Sequence, residues 1–246
     1  MRLSGRVALI TGGSRGIGKA TARIFAAEGA QVAITGRDDG RLQEAARELG
    51  VPGFAGDIRR SADVGSVVGR TMDRFGRIDI LVNNAGIFPE VMPLHETPEE
   101  KWTEVIDVNL TGQFRYTKSV IPHMMEGGGC IINVSSDAGL RSFENFEADS
   151  YSAAKAAIIH LTRAWAVEYA RYRIRVNCVC PGIVETDMTE PFLRTEADRA
   201  MAVAEHPIGR IGSPDDVARS ILYFASEESS WVTGAVLPVD GGVSVK

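Results

Sequence analysis

Seven short runs of β-branched and aliphatic residues recur along the chain: VALIT, QVAIT, VPGFAG, IDILVNN, CIINVSS, IRVNCVC and GAVLPVD. Between them lie stretches whose apolar residues fall three and four apart, over 20–28, 41–49, 64–75, 102–125, 153–169 and 214–225. Strands separated by helices pair parallel, so the alternation predicts an α/β fold. With right-handed crossovers it becomes a doubly wound, mostly parallel seven-stranded sheet with helices on both faces. Ligands of such a sheet sit outside the carboxyl ends of the strands. The glycine turn after the first run, Arg37, Asp57, Asn83, Ser136 and Pro181 all fall at such ends.

That glycine turn, TGGSRGIGKA from Thr11 to Ala20, has two readings. Gly13 to Lys19 fits the G-x-x-x-x-G-K of a nucleotide-triphosphate loop, but such a loop needs a Ser or Thr after its Lys to hold Mg²⁺. Here that residue is Ala20, and Thr21 stands one position, about 100° of helix, out of register. The alternative needs only a strand, a glycine turn and a helix starting near Ile17 whose N–H groups face an anion. Gly12, Gly16 and Gly18 then let the backbone approach a dinucleotide pyrophosphate, with Ser14, Arg15 and Ile17 between them.

At 246 residues, with no linker, repeat or charge block, the chain reads as one domain, 1–246. Its net charge of −5 gives no electrostatic reason to expect nucleic acid or an anionic membrane as partner. No apolar run approaches a membrane span, so the expected location is cytoplasmic. Cys178 and Cys180 lie two apart on a strand without the return turn a bridge needs, and with Cys130 they read as buried thiols. The four histidines are scattered, and no metal site is expected.

In SYSAAKAAIIHL, Tyr151 and Lys155 are four apart and share a helix face. A nearby ammonium stabilises a phenolate, so this pair can shuttle a proton, its expected effect being a lowered tyrosine pKa. An isolated pair of this kind is more commonly a solvent-facing one. Ser136, at the end of the preceding strand, can add a hydroxyl to the same place, although a Ser there also serves as a cap.

TGGSRGIG, NNAG (Asn83 to Gly86), Asn109 in DVNLTG, Ser136 in INVSS, YSAAK, PGIVET and the terminal VTGAVLPVDGG, in this order, resemble the short-chain dehydrogenase/reductase family. The likeness extends to its 3-oxoacyl-reductase and glucose-dehydrogenase members and spans the chain. It implies a Rossmann domain that interconverts a ketone and a secondary alcohol by hydride transfer with a nicotinamide cofactor. By the same resemblance Tyr151 is the acid/base, Lys155 holds the nicotinamide ribose and tunes Tyr151, Ser136 orients the carbonyl, and Asn109 anchors a water. Asp57 and Ile58 then flank the adenine. Asn83, Ala85 and Gly86 line the cofactor floor, Pro181 and Gly182 belong to the site, and Ile183 and Thr186 meet the carboxamide. The family's habit of pairing helices across a twofold, with the apolar circumference of 153–169, implies a homo-oligomer, a tetramer.

Where an NAD enzyme places an acid for the ribose 2′-hydroxyl, the second strand ends in Gly36, followed by Arg37. With Arg15 these guanidiniums predict a preference for NADP(H), NAD(H) being the alternative. Substrate walls are expected from loops 87–98, 137–150 and 187–212. Glu144, Glu147 and Asp149 in the second predict a rim favouring neutral ketones or alcohols. MMEGGGC, Met124 to Cys130, lacks the basic residues an acidic carrier protein would want, which ranks a general ketone or alcohol oxidoreductase above a 3-oxoacyl-(acyl-carrier-protein) reductase. A dinucleotide sensor without turnover is a remote third reading, since Tyr151, Lys155 and Ser136 are all present.

Overall fold

The computed structural model describes residues 1–144 and 146–246. Seven strands form one parallel sheet in the order β3-β2-β1-β4-β5-β6-β7. They are β1 Val7–Thr11, β2 Gln31–Gly36, β3 Gly53–Ala55, β4 Ile80–Asn83, β5 Gly129–Val134, β6 Ile174–Pro181 and β7 Val236–Val239. The order reverses between β1 and β4, the switch point at which a doubly wound sheet opens a crevice. All seven expected strands are present, though several are shorter than their apolar runs.

Strand parity divides the core. Ala8 and Ile10 of β1 face one layer, packed with α1 (Gly16–Ala27), α2 (Asp39–Leu49) and α8 (Pro214–Ala225). Leu9 faces the other, against α3 (Ser61–Phe75), α5 (Gly112–Met124) and α6 (Asp149–Tyr169). Both faces of the strands are therefore apolar, which is why they read as near-continuous hydrophobic runs.

Two elements differ from expectation. The stretch 102–125 is not one helix: α4 (Glu99–Ile106) and α5 are joined by a π-helical turn, Asp107–Thr111. One extra residue per turn leaves the three-and-four spacing almost intact, so the sequence pattern hides it. Within 187–212 stands a helix, α7 (Glu196–Glu205), opened by a capping box between Thr195 and Asp198. No described helix is long and apolar enough to cross a membrane.

Candidate active site

The carboxyl ends of β1, β2, β4, β5 and β6 open onto a cavity of about 510 Å³. Gly36, Arg37, Asp57 and Ile58 line it at the β2–β3 side, and Ser136, Tyr151 and Lys155 at the β5–β6 side. β2 and β5 are three strand steps apart, roughly 14 Å, so the cleft suits an extended ligand.

The glycine turn forms its floor beside β1. Gly12 and Gly16 have φ of 65° and 51°, backbone that residues with a Cβ rarely adopt. A Cβ on Gly12 would stand 2.9 Å from Ala85 Cα. Ser14, Arg15, Gly16 and Ile17 line the cleft. The first turn of α1 has neither an acidic residue nor a side-chain cap, whereas α7 and α8 both carry capping boxes. Its N–H groups are thus left to an anion, the arrangement a pyrophosphate requires. Gly18 differs from expectation: it does not line the cleft. A Cβ there would meet Gly12 O at 2.2 Å, so this glycine lets α1 lie against the turn.

Two further expectations shift by one residue. Asn83 is fully buried, its Nδ2 donating to Thr117 Oγ1 and Asn133 Oδ1, each at 2.9 Å, while Asn84 lines the cleft beside Ala85 and Gly86. Strand alternation ends on Asn83 pointing inward. Asn84 Nδ2 then donates to Thr11 O at 2.9 Å and ties β4 to the glycine turn. Likewise Pro181, Gly182, Val184 and Thr186 line the cleft and Ile183 does not; its carbonyl accepts from Gly212 N at 3.0 Å. Thr186 also packs against Gly16, and Arg15 pairs with Asp187 at 3.0 Å across the mouth.

At the β5–β6 side, the loop after β5 brings Ser136 to the amino end of α6, where Tyr151 and Lys155 are both buried. Lys155 Nζ lies 5.4 Å from the Tyr151 ring centre and donates to Val134 O at 2.9 Å. Burial dominates both groups. It pushes the Tyr151 phenol up to about 12, against the pull of the neighbouring Ser136 hydroxyl, and lowers Lys155 to about 8. The expected lowering of Tyr151 by the ammonium is not seen: the Ser136 hydroxyl is the group that lowers it, burial prevails, and the phenol is a proton donor across the neutral range.

Asp137 was not anticipated. It is buried, it accepts from Ser136 Oγ at 2.9 Å and Ala138 N at 2.8 Å, and desolvation raises its pKa. Asn109 does not line the cleft. It sits in the π turn with Oδ1 accepting from Ile87 N and Nδ2 donating to Ile87 O, both at 2.8 Å, so its side chain clamps the segment after Gly86.

At the end of β2, Asp38 caps α2 by accepting from Arg41 N at 3.1 Å and approaches the Arg41 guanidinium at 3.7 Å. Among the described residues Arg37 has no ion-pair partner. Asp57 is held below the usual carboxylate range chiefly by its side-chain hydrogen bonds from Arg59, the shortest at 2.7 Å. The three cysteines are buried free thiols. Glu147 and Asp149 border a separate small depression with Trp102, and neither they nor Glu144 are among the residues lining the cleft.

A family model described as enoyl-(acyl carrier protein) reductase matches residues 12–244. The chain belongs to the short-chain dehydrogenase/reductase family. It is 43% identical over 251 residues to the 3-oxoacyl-(acyl-carrier-protein) reductase of Thermotoga maritima, covering 100% of both chains. With the (2S)-((R)-hydroxy(phenyl)methyl)succinyl-CoA dehydrogenase subunit of Thauera aromatica it shares 41% over 251 residues, 100% of this chain and 99% of the other. A short-chain type dehydrogenase/reductase from Mycobacterium marinum superposes with a TM-score of 0.94 at 36% identity, covering 99% of this chain and 97% of that one. This chain is accordingly a nicotinamide-dependent oxidoreductase acting between alcohols and ketones.

Proposed function

We propose that the chain is an NADP(H)-dependent reductase of small ketones, or dehydrogenase of the matching secondary alcohols, working as a single domain in the cytoplasm with Tyr151 as acid/base. The convergence of Tyr151, Lys155 and Ser136 at one end of a cleft whose other end carries Arg37 and no β2 carboxylate supports this most. Ser14 to Ile17 and the N–H groups of the first turn of α1 would hold a pyrophosphate, Asp57 and Ile58 would border the adenine, and Val184 and Thr186 would meet the carboxamide; all of these residues line the cleft. Bound nicotinamide would supply the hydride. Tyr151 gives its proton to the carbonyl oxygen, Lys155 balances the resulting phenolate, and the Ser136 hydroxyl, turned from Asp137 to the substrate, fixes the oxygen in place.

The second reading, a 3-oxoacyl-(acyl-carrier-protein) reductase, draws on the 43% identity to the Thermotoga enzyme. One experiment addresses both: NADPH oxidation with a panel of small ketones, with acetoacetyl-CoA, and with acetoacetyl carrier protein. Ketone turnover with no gain from the carrier protein is expected. A large carrier-protein preference would install the second reading, and no turnover of any of them would remove both.

A homo-oligomer, a tetramer by the family's habit, belongs to the same proposal. Ala153, Ala156, Ala164 and Val167 of α6 are exposed, and Phe114 of α5 is 45% exposed, an apolar surface that a second copy would bury. Sedimentation at micromolar concentration is expected to give a species several times the mass of one chain. A monomer alone would refute it.

A further inference from the structure

Beside Tyr151, next to the residues that line the cleft, aromatic rings pack against one another. Phe88 lies 5.0 Å from the Tyr151 ring, 5.8 Å from Phe146 and 5.3 Å from Phe192, and Phe143 extends the group at 5.6 Å from Phe146. These centre-to-centre distances and tilts are those at which aromatic pairs attract beyond their buried area. Around them are Ile87, Val105, Ala138 and Ala148, so the surroundings of the phenol are apolar on this side.

The members differ in how firmly they are held. Phe88 follows Ile87, whose N–H and carbonyl are both taken by Asn109, so its backbone is anchored. Phe143 and Phe146 are partly buried in the loop after β5. Phe192 comes from the short turn Glu190–Phe192 between β6 and α7, is 49% exposed, and meets Phe88 edge-on at 77°. It stands against Phe88 with only about half its own surface covered, which makes it the ring that can be exchanged for another.

We infer that the substrate carries an aromatic ring on the reacting carbon, and that this ring takes the place of Phe192 against Phe88, the carbonyl then lying at Tyr151. The inference rests on the ketone reductase reading and narrows it to aryl ketones and benzylic alcohols. An aryl ring has the positive edge and negative face that complete the arrangement, whereas a saturated ring or flexible chain offers only area.

The test compares three methyl ketones of the same carbon count: acetophenone, cyclohexyl methyl ketone and 2-octanone. Each is assayed with NADPH on wild type, Phe88→Leu and Phe192→Ala. Wild type is expected to favour acetophenone over 2-octanone about three- to tenfold in kcat/KM, the range for an aromatic pair. Phe88→Leu retains bulk but removes the ring, and the preference should collapse toward one. Phe192→Ala should lower the KM for acetophenone, because no side chain then has to leave the slot. Turnover of 2-octanone equal to or above that of acetophenone overturns the inference and leaves the reductase reading standing. So does a preference that survives Phe88→Leu. Silence of wild type on all three ketones overturns both.

Discussion

Tyr151→Phe is expected to reduce turnover about 10²- to 10⁴-fold on any accepted substrate, the range general acid/base catalysis supplies. Only the hydroxyl is removed. The ring remains 5.0 Å from Phe88 and within the same apolar cluster, so the fold and the cavity should persist. Cofactor affinity, measured by fluorescence titration, should change little because the glycine turn and the β2 end are untouched. A variant with undiminished turnover would move the acid/base role to another group.

The pH profile carries the same argument. Tyr151, held up at about 12, keeps its proton throughout the assay range. Lys155 does not: burial lowers it to about 8, so it is charged below that value and neutral above it. Initial rates of ketone reduction should therefore be level below pH 8 and fall above it, as the cation that balances the phenolate is lost. A flat profile to pH 10 would mean that Lys155 retains its proton despite its burial.

The alternation of strands and helices was legible because both faces of the sheet are buried, which makes each strand an apolar run. Where local pattern and tertiary demand part, the sequence was silent. Helix α7 buries only Ala202, so it shows no apolar stripe; its Thr195 and Asp198 caps were the available signal. Neither composition nor spacing says which of Asn83 and Asn84 faces the cleft. That depends on where β4 stops, and parity at a strand end becomes known only when the register is known. Asp137 went unnoticed because its partner is the adjacent Ser136, and a neighbour in sequence carries no periodicity. The aromatic group unites residues 88, 143, 146 and 192 from three separate loops, a meeting that only the folded chain reveals.

Cofactor selection yields the other large effect. Wild type is expected to prefer NADP(H), to lose that preference in Arg37→Ala and to reverse it in Gly36→Asp. Asp38, next to Arg37 in the chain, caps α2 and leans toward Arg41, and Asp57, which feels the Arg37 charge, is hydrogen-bonded by Arg59. Arg15 is paired with Asp187, but both side chains are about half exposed, 54% and 53%, so water screens the pair and a phosphate can compete for the guanidinium. A charge-assisted contact contributes about 1.5–3 kcal/mol, so removing Arg37 should weaken NADP binding roughly ten- to a hundredfold while NAD changes little. Gly36 has room for the reversal. A Cβ there would lie 3.7 Å from Ser14 Oγ and 3.8 Å from Leu42 Cδ1, ordinary contacts that need no backbone movement. An aspartate at this point would accept from a ribose 2′-hydroxyl and repel a 2′-phosphate. Comparing kcat/KM for NADPH and NADH across the three proteins decides the matter. A wild type that already favours NADH would show that the guanidiniums at the β2 end serve only the surface.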